Sequence, residues 1–271
     1  MNILFWNING KNPVGCLQEL LVENGVDLLV LAEYPCDIKL LCQHVNMTSC
    51  LQYKAIPNIG IGAVQCLINC EYDVDLLTED DHYKTITVST GNYELLVAMV
   101  HARSKLRADS VTQMIGLSKL YNDISTHEDV LNCKKSIAIG DFNVSPYEEA
   151  FVSASGIHAI PYPDAVKKES RMIFGQVYQK FYNPTWRLLG KRDAPYTTYY
   201  YDRSGQACNI YWHMFDQVII RPTLIKAFDE ESPKITAHTT NHRLLRKNNT
   251  PDKINYSDHL PLFCSFKEDL I

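Results

Sequence analysis

Several apolar, strand-like segments of this 271-residue sequence are next to Asn, Asp, Glu or His residues. These residue types can bind metal ions or transfer protons. The residues are Asn7 after ILFW, Glu33 after DLLVLA, His101 after LLVAMV, Asp141 and Asn143 in SIAIGDFN, Asp216 in MFDQVII, and Asp258 and His259 before LPLFCSF. In α/β sheets, side chains at the carboxyl ends of strands converge on a crevice. The pattern predicts that these residues line one pocket.

The residue types in this set indicate metal-assisted chemistry. Glu33 and Asp216 lie in apolar surroundings, where an unpaired carboxylate is costly, so each needs a cation, a metal ion or a hydrogen-bonded histidine. Carboxylates and amides without cysteine favour Mg²⁺, with Mn²⁺ as the alternative, over structural Zn²⁺. A hard divalent ion beside histidines suits attack of water on phosphorus.

The elements that position these residues are short strands alternating with helices. Apolar, turn-bounded runs predict strands at residues 3–7, 27–33, 62–69, 84–90, 93–101, 136–143, 214–220 and 260–266. Gly91-Asn92 predicts a hairpin between two of them. A helical period includes Leu17, Leu20 and Leu21 and ends at Gly25, and a second runs over residues 106–126.

No repeat or Gly/Ser linker interrupts this order, so we expect a single domain over residues 1–271 with parallel and antiparallel strands. The length alone allows one large α/β domain or two small ones. Residues 156–212 differ from the rest, because they are rich in Pro, Tyr and Arg and have weak periodicity. Such a segment is typical of a long surface excursion that carries function.

The charge is divided along the chain. The net charge is −5, but residues 1–160 carry −9 and residues 161–271 carry +4. Between Lys167 and Arg203, eight side chains are basic and three are acidic. A local positive stripe on an acidic protein favours an anionic substrate.

Composition excludes several classes of protein. Hydrophobic residues make up 46% and charged residues 21%, which excludes intrinsic disorder, collagen and coiled coil. The nine cysteines contain no C-x-x-C pair and are expected to be reduced thiols. No apolar run reaches the roughly 18 residues of a membrane span, so we expect a cytoplasmic protein without membrane insertion. The oligomeric state is left open.

Six segments together resemble one superfamily in order and approximate spacing. They are WNING, LVLAEY, VHARS, IGDFNVSP, FDQVII and YSDHLPL. This set is similar to the endonuclease/exonuclease/phosphatase superfamily, also called the DNase I-like fold, over residues 2–266. The resemblance implies a four-layer α/β sandwich, in which two mixed β-sheets pack face to face with helices outside.

The resemblance also implies a role for each residue. Glu33 binds Mg²⁺, with Asn7 and Asp258 at or close to the ion. Asp141 positions or deprotonates the attacking water, and Asn143 holds a phosphate oxygen. Asp216 orients His259, and this pair binds the scissile phosphate. His101 protonates the leaving oxygen or stabilises its charge.

Three departures from the family pattern narrow the choice of activity. MFDQV replaces the Cys-Asp-Arg cluster of inositol polyphosphate 5-phosphatases, and Ala32 replaces the Gln that usually precedes the metal-binding Glu. DNase I-like nucleases also orient the first His with a second Glu, and residues 58–65 offer no equivalent.

Aromatic and basic residues of the excursion predict the substrate surface. Eleven aromatics lie between Tyr178 and Phe215, and core packing accounts for at least half of them. The remainder, interleaved with basic side chains, suit the stacking and phosphate contacts of a nucleic acid strand, although a lipid headgroup fits the same surface. The residues assigned to substrate binding are Trp186, Arg187, Arg192 and Arg203. Arg243, Arg246 and Lys247 form either a second phosphate clamp or a solvated charge run.

These observations favour a Mg²⁺-dependent phosphodiesterase that hydrolyses DNA or RNA as an endonuclease or exonuclease. The alternative is a phosphomonoesterase or a phospholipid phosphodiesterase of the same superfamily. A nucleic-acid-binding relative without catalysis is a third hypothesis, which the retained Asp141, Asp216 and His259 disfavour.

Overall fold

The computed structural model describes residues 1–59, 62, 64–203 and 209–271. Within these residues the chain forms seventeen strands. The strands are β1 (Asn2–Asn7), β2 (Leu28–Ala32), β3 (Tyr53–Ala55), β4 (Val64–Asn69), β5 (Asp73–Glu79), β6 (Tyr83–Ser89), β7 (Glu94–His101), β8 (Ser136–Asp141), β9 (Ala159–Ile160), β10 (Ser170–Ile173), β11 (Gln176–Gln179), β12 (Phe181–Tyr182), β13 (Tyr199–Tyr200), β14 (Trp212–His213), β15 (Asp216–Ile220), β16 (Lys234–Ile235) and β17 (Leu262–Ser265).

The helices of the described residues are fewer and mostly short. The α-helices are α1 (Val14–Asn24), α2 (Ile38–Thr48), α3 (Ser110–Leu131), α4 (Glu149–Val152) and α5 (Pro163–Val166), and 3₁₀ helices span Pro184–Leu188, Pro222–Leu224 and Glu268–Leu270. None of these helices combines the length and the apolar character that crossing a bilayer requires.

Two large mixed sheets form the centre of the molecule. Sheet A has the strand order β16-β17-β1-β2-β4-β3, and sheet B has the order β5-β6-β7-β8-β15-β12-β9. The β1–β2 pair is parallel in sheet A, and the β7–β8 and β9–β12 pairs are parallel in sheet B. The other neighbours are antiparallel. β10–β11 and β13–β14 are separate two-stranded hairpins.

The alternation of side chains along the strands separates three apolar layers. In β1, Ile3 and Phe5 enter the core between the two sheets, whereas Leu4 and Trp6 pack with residues of α1 and α2 on the outer face of sheet A. The outer face of sheet B packs in the same way against α3. The result is the helix–sheet–sheet–helix sandwich, and the predicted fold class is confirmed.

Local signals fixed several boundaries. α1 ends where Gly25 adopts the left-handed conformation (φ 53°), and Ser89 pairs with Glu94 across the hairpin at Gly91-Asn92. The predicted helix at 106–126 lies four to five residues further along the chain, because Asp109 caps it through the Thr112 amide and Asn132 ends it at φ 51°. The sequence analysis did not predict α2 or β5.

His158 is a buried histidine that makes stability depend on pH. Its Nδ1 donates to the Gln179 carbonyl at 2.9 Å, and its Nε2 has no hydrogen-bond partner in the described residues. Burial lowers the pKa of His158 from its ordinary value of 6.5 to about 4. The folded state therefore favours the neutral ring, and stability is lost as the pH falls below 6.5 toward 4.

We expect this effect to cost about 2 kcal/mol of unfolding free energy at pH 5 relative to pH 7. Urea unfolding at both pH values is the measurement. The comparison is His158→Asn, since Asn tolerates the positive φ of 56° at this position. An equal loss of stability in the wild type and the variant would contradict the assignment.

Gly116 lies in the second turn of α3, and an added Cβ there would meet no atom within 4 Å. A glycine inside a helix is less stable than alanine by about 1 kcal/mol. Gly116→Ala is therefore expected to raise the free energy of unfolding by about that amount, measured by urea unfolding. An unchanged or lower stability would show that this position is more crowded than the structure indicates.

Candidate active site

The predicted site residues come from strand ends that meet at one edge of the sandwich. Parallel β1 and β2 end at Asn7 and next to Glu33, and parallel β7 and β8 end at His101 and Asp141. β15 runs in the opposite direction and begins at Asp216, which pairs with Asp141. The two sheets therefore bring their polar ends to the same place.

The close approach of β7 and β8 requires a glycine. A Cβ at Gly140 would lie 2.0 Å from the Val100 carbonyl oxygen. Asn143 adopts the left-handed conformation (φ 53°) and turns the chain. Its backbone N–H donates to Asp141 Oδ1 at 2.8 Å. Its side chain donates to the Ala102 carbonyl at 2.9 Å, which ties the GDFN segment to the end of β7.

Asp216, His259 and Asp141 form the buried centre of the site. His259 Nδ1 donates to Asp216 Oδ2 at 2.8 Å, and His259 Nε2 lies 3.9 Å from Asp141 Oδ2. All three side chains are buried, and one ligand atom from each lies within 4.8 Å of the others. The bond to Asp216 fixes the orientation of the imidazole, so that Nε2 is directed to Asp141.

Asn7 joins this centre to Glu33. Its Nδ2 lies 3.1 Å from Asp141 Oδ2 and 3.2 Å from Glu33 Oε1. Glu33 Oε1 also lies 3.3 Å from His101 Nε2. Glu33 itself adopts a positive φ of 54°, which is unfavourable for a residue other than glycine or asparagine. Strained backbone of this kind is concentrated at functional sites.

Asp258 is connected to the same network through a residue that the sequence analysis did not single out. Asn9 Nδ2 donates to Asp258 Oδ1 at 2.9 Å, and the Asn9 amide donates to Asn7 Oδ1 at 3.1 Å. All eight residues predicted as catalytic or metal-binding therefore belong to one hydrogen-bonded and ionic network. Their individual roles remain predictions.

The charges of this network shift the pKa values of its members. The hydrogen bond from His101 lowers the pKa of Glu33. Burial disfavours the charged form of His101, but the bond to Glu33 and the charge of Asp141 outweigh it and raise the pKa of His101. Glu33 is thus held as a carboxylate beside a histidine that gains a proton readily.

In the buried centre the pKa of the Asp141 carboxyl shifts in the direction opposite to that of Glu33. Burial raises the pKa of Asp141, and the charge of Asp216 adds to that effect. Burial also disfavours imidazolium at His259, but the carboxylates of Asp216, Asp141 and Asp258 outweigh it and raise the pKa of His259 to about 10. The site therefore holds a cationic ring beside a carboxylate that is a stronger base than usual.

The donor set fits a hard divalent cation. Glu33 Oε1 contacts Asn7 Nδ2, and Asn7 Oδ1 and Asp258 Oδ1 both accept from Asn9, so the three residues share one network, in which no cysteine of the described residues takes part. Oxygen donors of this kind suit Mg²⁺ or Mn²⁺. Among the described His, Cys, Asp and Glu side chains, Asp141, Asp216 and His259 lie close enough together to share one ion. That Asn7, Glu33 and Asp258 hold the ion stays a prediction.

The four residues predicted to bind substrate have different surroundings. Trp186 is half-buried and packs edge-on against Tyr147, which follows the GDFN segment. Arg192 and Arg203 are exposed. Arg187 is engaged elsewhere, because its guanidinium lies 2.5 Å from Glu231 Oε1 and 3.3 Å from Glu230 Oε2. This acidic pairing leaves Arg187 out of the substrate surface that we propose below.

Three residues that support His259 were not identified from the sequence. Ser257 Oγ donates to the Asn7 carbonyl and accepts from the His259 amide, and Trp6 Nε1 donates to the His259 carbonyl. The ring of Tyr199 lies 4.5 Å from that of His259. Ser257 and Trp6 belong to the quoted motifs YSDHLPL and WNING, so the motifs contained the signal.

An aromatic cluster, consisting of Tyr199, His213 and Phe215, adjoins His259. Tyr199 and Phe215 stack with ring centroids 5.3 Å apart, and His213 and Phe215 stack at 4.9 Å. Lys105 Nζ lies 5.5 Å from the Phe215 ring centroid. Lys105 is paired with Glu148 at 2.5 Å, so the aromatic faces are what this cluster adds beside the centre.

Solved structures share this architecture over almost the whole chain. Truncated TDP2 of Caenorhabditis elegans has a TM-score of 0.58 at 14% identity and covers 98% of this chain and 96% of its own. An endonuclease/exonuclease/phosphatase family protein of Bacteroides thetaiotaomicron has a TM-score of 0.57 at 11% identity, with 98% and 97% covered. The chain has the DNase I-like fold. No protein-family model matches the sequence, and no curated protein matches it.

A third similar structure was solved with nucleic acid bound. It is a 3′ phosphatase, NExo, from Neisseria bound to a product DNA hairpin, with a TM-score of 0.58, 16% identity and coverage of 98% of this chain and 99% of that one. Residues 58–65 contain no equivalent of the second Glu of DNase I-like nucleases, and residues 60, 61 and 63 of this segment lie outside the described residues. In this chain Glu33 contacts His101 directly.

Proposed function

We propose that this protein is a divalent-metal-dependent phosphodiesterase that hydrolyses nucleic acid. The observation that carries the proposal is the buried Asp216–His259–Asp141 arrangement joined through Asn7 to Glu33 and His101. Burying several charged groups in one place carries a desolvation cost, which favours a chemical role for this cluster. The arrangement supplies a base, a cation and metal-binding oxygens within one pocket.

In this mechanism Asp141 accepts a proton from the attacking water. Its raised pKa makes it a better base than an exposed carboxylate, and Asn143, held by Asp141 and Ala102, orients a phosphate oxygen. His259, oriented by Asp216, donates to a non-bridging oxygen as negative charge develops. His101, which pairs with Asp141 between β7 and β8 and lies 3.3 Å from Glu33 Oε1, donates a proton to the leaving oxygen.

Asn7, Glu33 and Asp258 bind the metal ion in this proposal. The ion, Mg²⁺ or Mn²⁺, supplies Lewis acidity that neutralises phosphate charge. Asn9 keeps Asp258 and Asn7 in position through its hydrogen bonds to both.

Nucleic acid is the proposed substrate because of the aromatic residues beside His259 and the basic side chains of the same chain segment. The aromatic cluster and Trp186 offer stacking faces, and the exposed Arg192 and Arg203 are cations for phosphate contacts. Similar structures include a phosphatase bound to a DNA hairpin. That protein is described as a 3′ phosphatase, so release of inorganic phosphate from a nucleic acid end is the second activity to be measured.

Glu33→Ala tests the proposal with a large expected effect. The purified protein is incubated with single- and double-stranded DNA and with RNA, in Mg²⁺, in Mn²⁺ and in EDTA, and products are analysed by end-labelling. We expect cleavage that EDTA abolishes, and a rate that falls at least about 100-fold in Glu33→Ala at fixed Mg²⁺. Absence of cleavage on every substrate, or cleavage unaffected by the variant, would refute the proposal.

A matched control and a second readout complete the experiment. Glu149→Ala removes an acidic side chain outside the network and is expected to retain full activity. Free phosphate released from end-phosphorylated oligonucleotides, without internal cleavage, would identify a phosphomonoesterase instead. Phosphocholine released from lipid substrates would identify a phospholipid phosphodiesterase.

We also propose that the single domain spans residues 1–271.

A further inference from the structure

A second pocket lies behind the catalytic residues, on the other face of sheet B. It has a volume of about 260 Å³ and lies between the first turns of α3 and the ends of β6 and β7. Its apolar walls are formed by Val100, Ala102, Gly116, Leu117, Leu120 and Phe142. The open space at Gly116 belongs to its mouth, because a Cβ there meets no atom within 4 Å.

The pocket shares its walls with the active site. Ala102 directly follows His101, and Phe142 lies between Asp141 and Asn143. Gln113, another wall residue, donates to the Asn143 carbonyl at 2.9 Å. The side chains of catalytic residues and pocket residues point to opposite faces of the sheet, so only the chain at the ends of β7 and β8 separates the two sites.

A positively charged residue, Arg103, lies at the mouth of the pocket on the side of the active site. Arg103 lies two residues beyond His101, within about 7 Å along the chain. Its Nε donates to His82 Nε2 at 2.8 Å, and in the described part of the chain no carboxylate pairs with it. The other two charged residues of the mouth, Asp80 and Lys119, neutralise each other at 2.5 Å. Arg103 is thus the cation available to an anionic ligand.

We propose that this pocket binds one unstacked nucleobase of the substrate strand, while Arg103 contacts the phosphate that links this nucleotide to the scissile position. The inference rests on the proposed function and deepens it, since it makes single-stranded or locally unpaired nucleic acid the preferred substrate. An apolar slot with few polar groups at its rim favours a flat, largely apolar ring. The strand then crosses the ends of β7 and β8 on its way from the pocket to His101.

The pocket lining combines apolar groups with the side chains of Tyr83, Thr112 and Gln113. Its apolar groups can contact the faces of any base without distinguishing one base from another. We therefore expect a preference for unpaired structure rather than for a base sequence. Removing one stacked base is expected to weaken binding about tenfold or more.

The first test measures binding without turnover. The Asp141→Asn protein is titrated with fluorescent single-stranded oligonucleotides in which each base in turn is replaced by an abasic site. We expect one position where loss of the base weakens binding about tenfold or more, and only small effects at positions farther away. A uniform response along the oligonucleotide would overturn the inference.

The second test fills the pocket mouth in the same Asp141→Asn background. Gly116→Leu is expected to weaken binding of the intact oligonucleotide by the same factor and to abolish the sensitivity to the abasic position. Thr126→Leu, an exposed position of the same helix, is the control and is expected to bind normally. Arg103→Gln should reduce the slope of log affinity against log salt by about one unit.

The outcomes separate the two proposals. If the wild type cleaves nucleic acid but the abasic scan is flat and Gly116→Leu binds normally, the inference fails and the proposed function stands. If no nucleic acid is bound or cleaved, both fail. Should Gly116→Leu not fold, as judged by thermal unfolding, the abasic scan on the Gly116-containing protein decides alone.

Discussion

Asp141→Asn is expected to lower kcat by about 10²- to 10⁴-fold in the nuclease assay. The substitution removes the carboxylate that accepts the proton of the attacking water. An amide of nearly the same shape keeps one accepted hydrogen bond, from the Asn143 backbone amide, and loses the one from Asn7 Nδ2. Removing a buried negative charge changes the surroundings of His259 but leaves the fold in place. Single-turnover kinetics at saturating substrate measure the effect on the chemical step.

The same experiment separates catalysis from binding. Substrate affinity of Asp141→Asn is expected to remain near that of the wild type, since the residue acts mainly in the transition state. Asp164→Asn is the matched control, because Asp164 is an exposed aspartate whose ion-pair partner among the described residues is Lys167. A kcat of Asp141→Asn within a few-fold of wild type would exclude Asp141 as the base.

Glu128→Ala is expected to lower the free energy of unfolding by about 3–5 kcal/mol. Glu128 is fully buried in α3 and accepts from Arg221 Nε at 2.7 Å, from Arg221 Nη2 at 3.1 Å and from Ser136 Oγ at 2.6 Å. The variant leaves the buried guanidinium of Arg221 against the Phe181 ring without a counter-charge. Urea unfolding at pH 7 measures the loss.

The adjacent residue gives the control for this prediction. Asp129 is exposed and pairs with Lys134 at 2.7 Å, so Asp129→Ala is expected to change stability by less than about 1 kcal/mol. If both variants lost the same small amount, the Glu128–Arg221 pair would not be a major tie between α3 and the end of β15.

Elements with strong local signals could be predicted from the sequence. The buried strands β1, β2, β7 and β8 are continuous apolar runs, and the glycine at residue 25 and the turn at 91–92 mark ends that local chemistry imposes. α2 was not predicted, although Ile38, Leu41, Cys42 and Val45 have the spacing of a helix face and Asp37 caps the helix, so the local signal was present and was missed. β5 escaped because its pattern of charged and apolar residues is mostly half-exposed.

Most residues of the site could also be identified from local sequence. Each predicted residue stands at or beside a strand end, and strands that are parallel neighbours place their ends together. Partners from distant parts of the chain were not encoded in this way. In the sequence Arg187 has no evident partner. In the structure it pairs with Glu230 and Glu231, which lie more than forty residues away along the chain.

The sequence by itself determined which residue types stand at the ends of the strands, and these residue types are the basis of the proposed metal- and histidine-assisted chemistry. Only the tertiary structure decided that Asn7 joins Glu33 to Asp141, that Tyr199 lies on the ring of His259, and that a pocket opens behind the GDFN turn. The physical reason is the range of the forces involved. Periodicity and turn chemistry act over a few residues, whereas side-chain pairing and cavities arise when distant segments pack against each other.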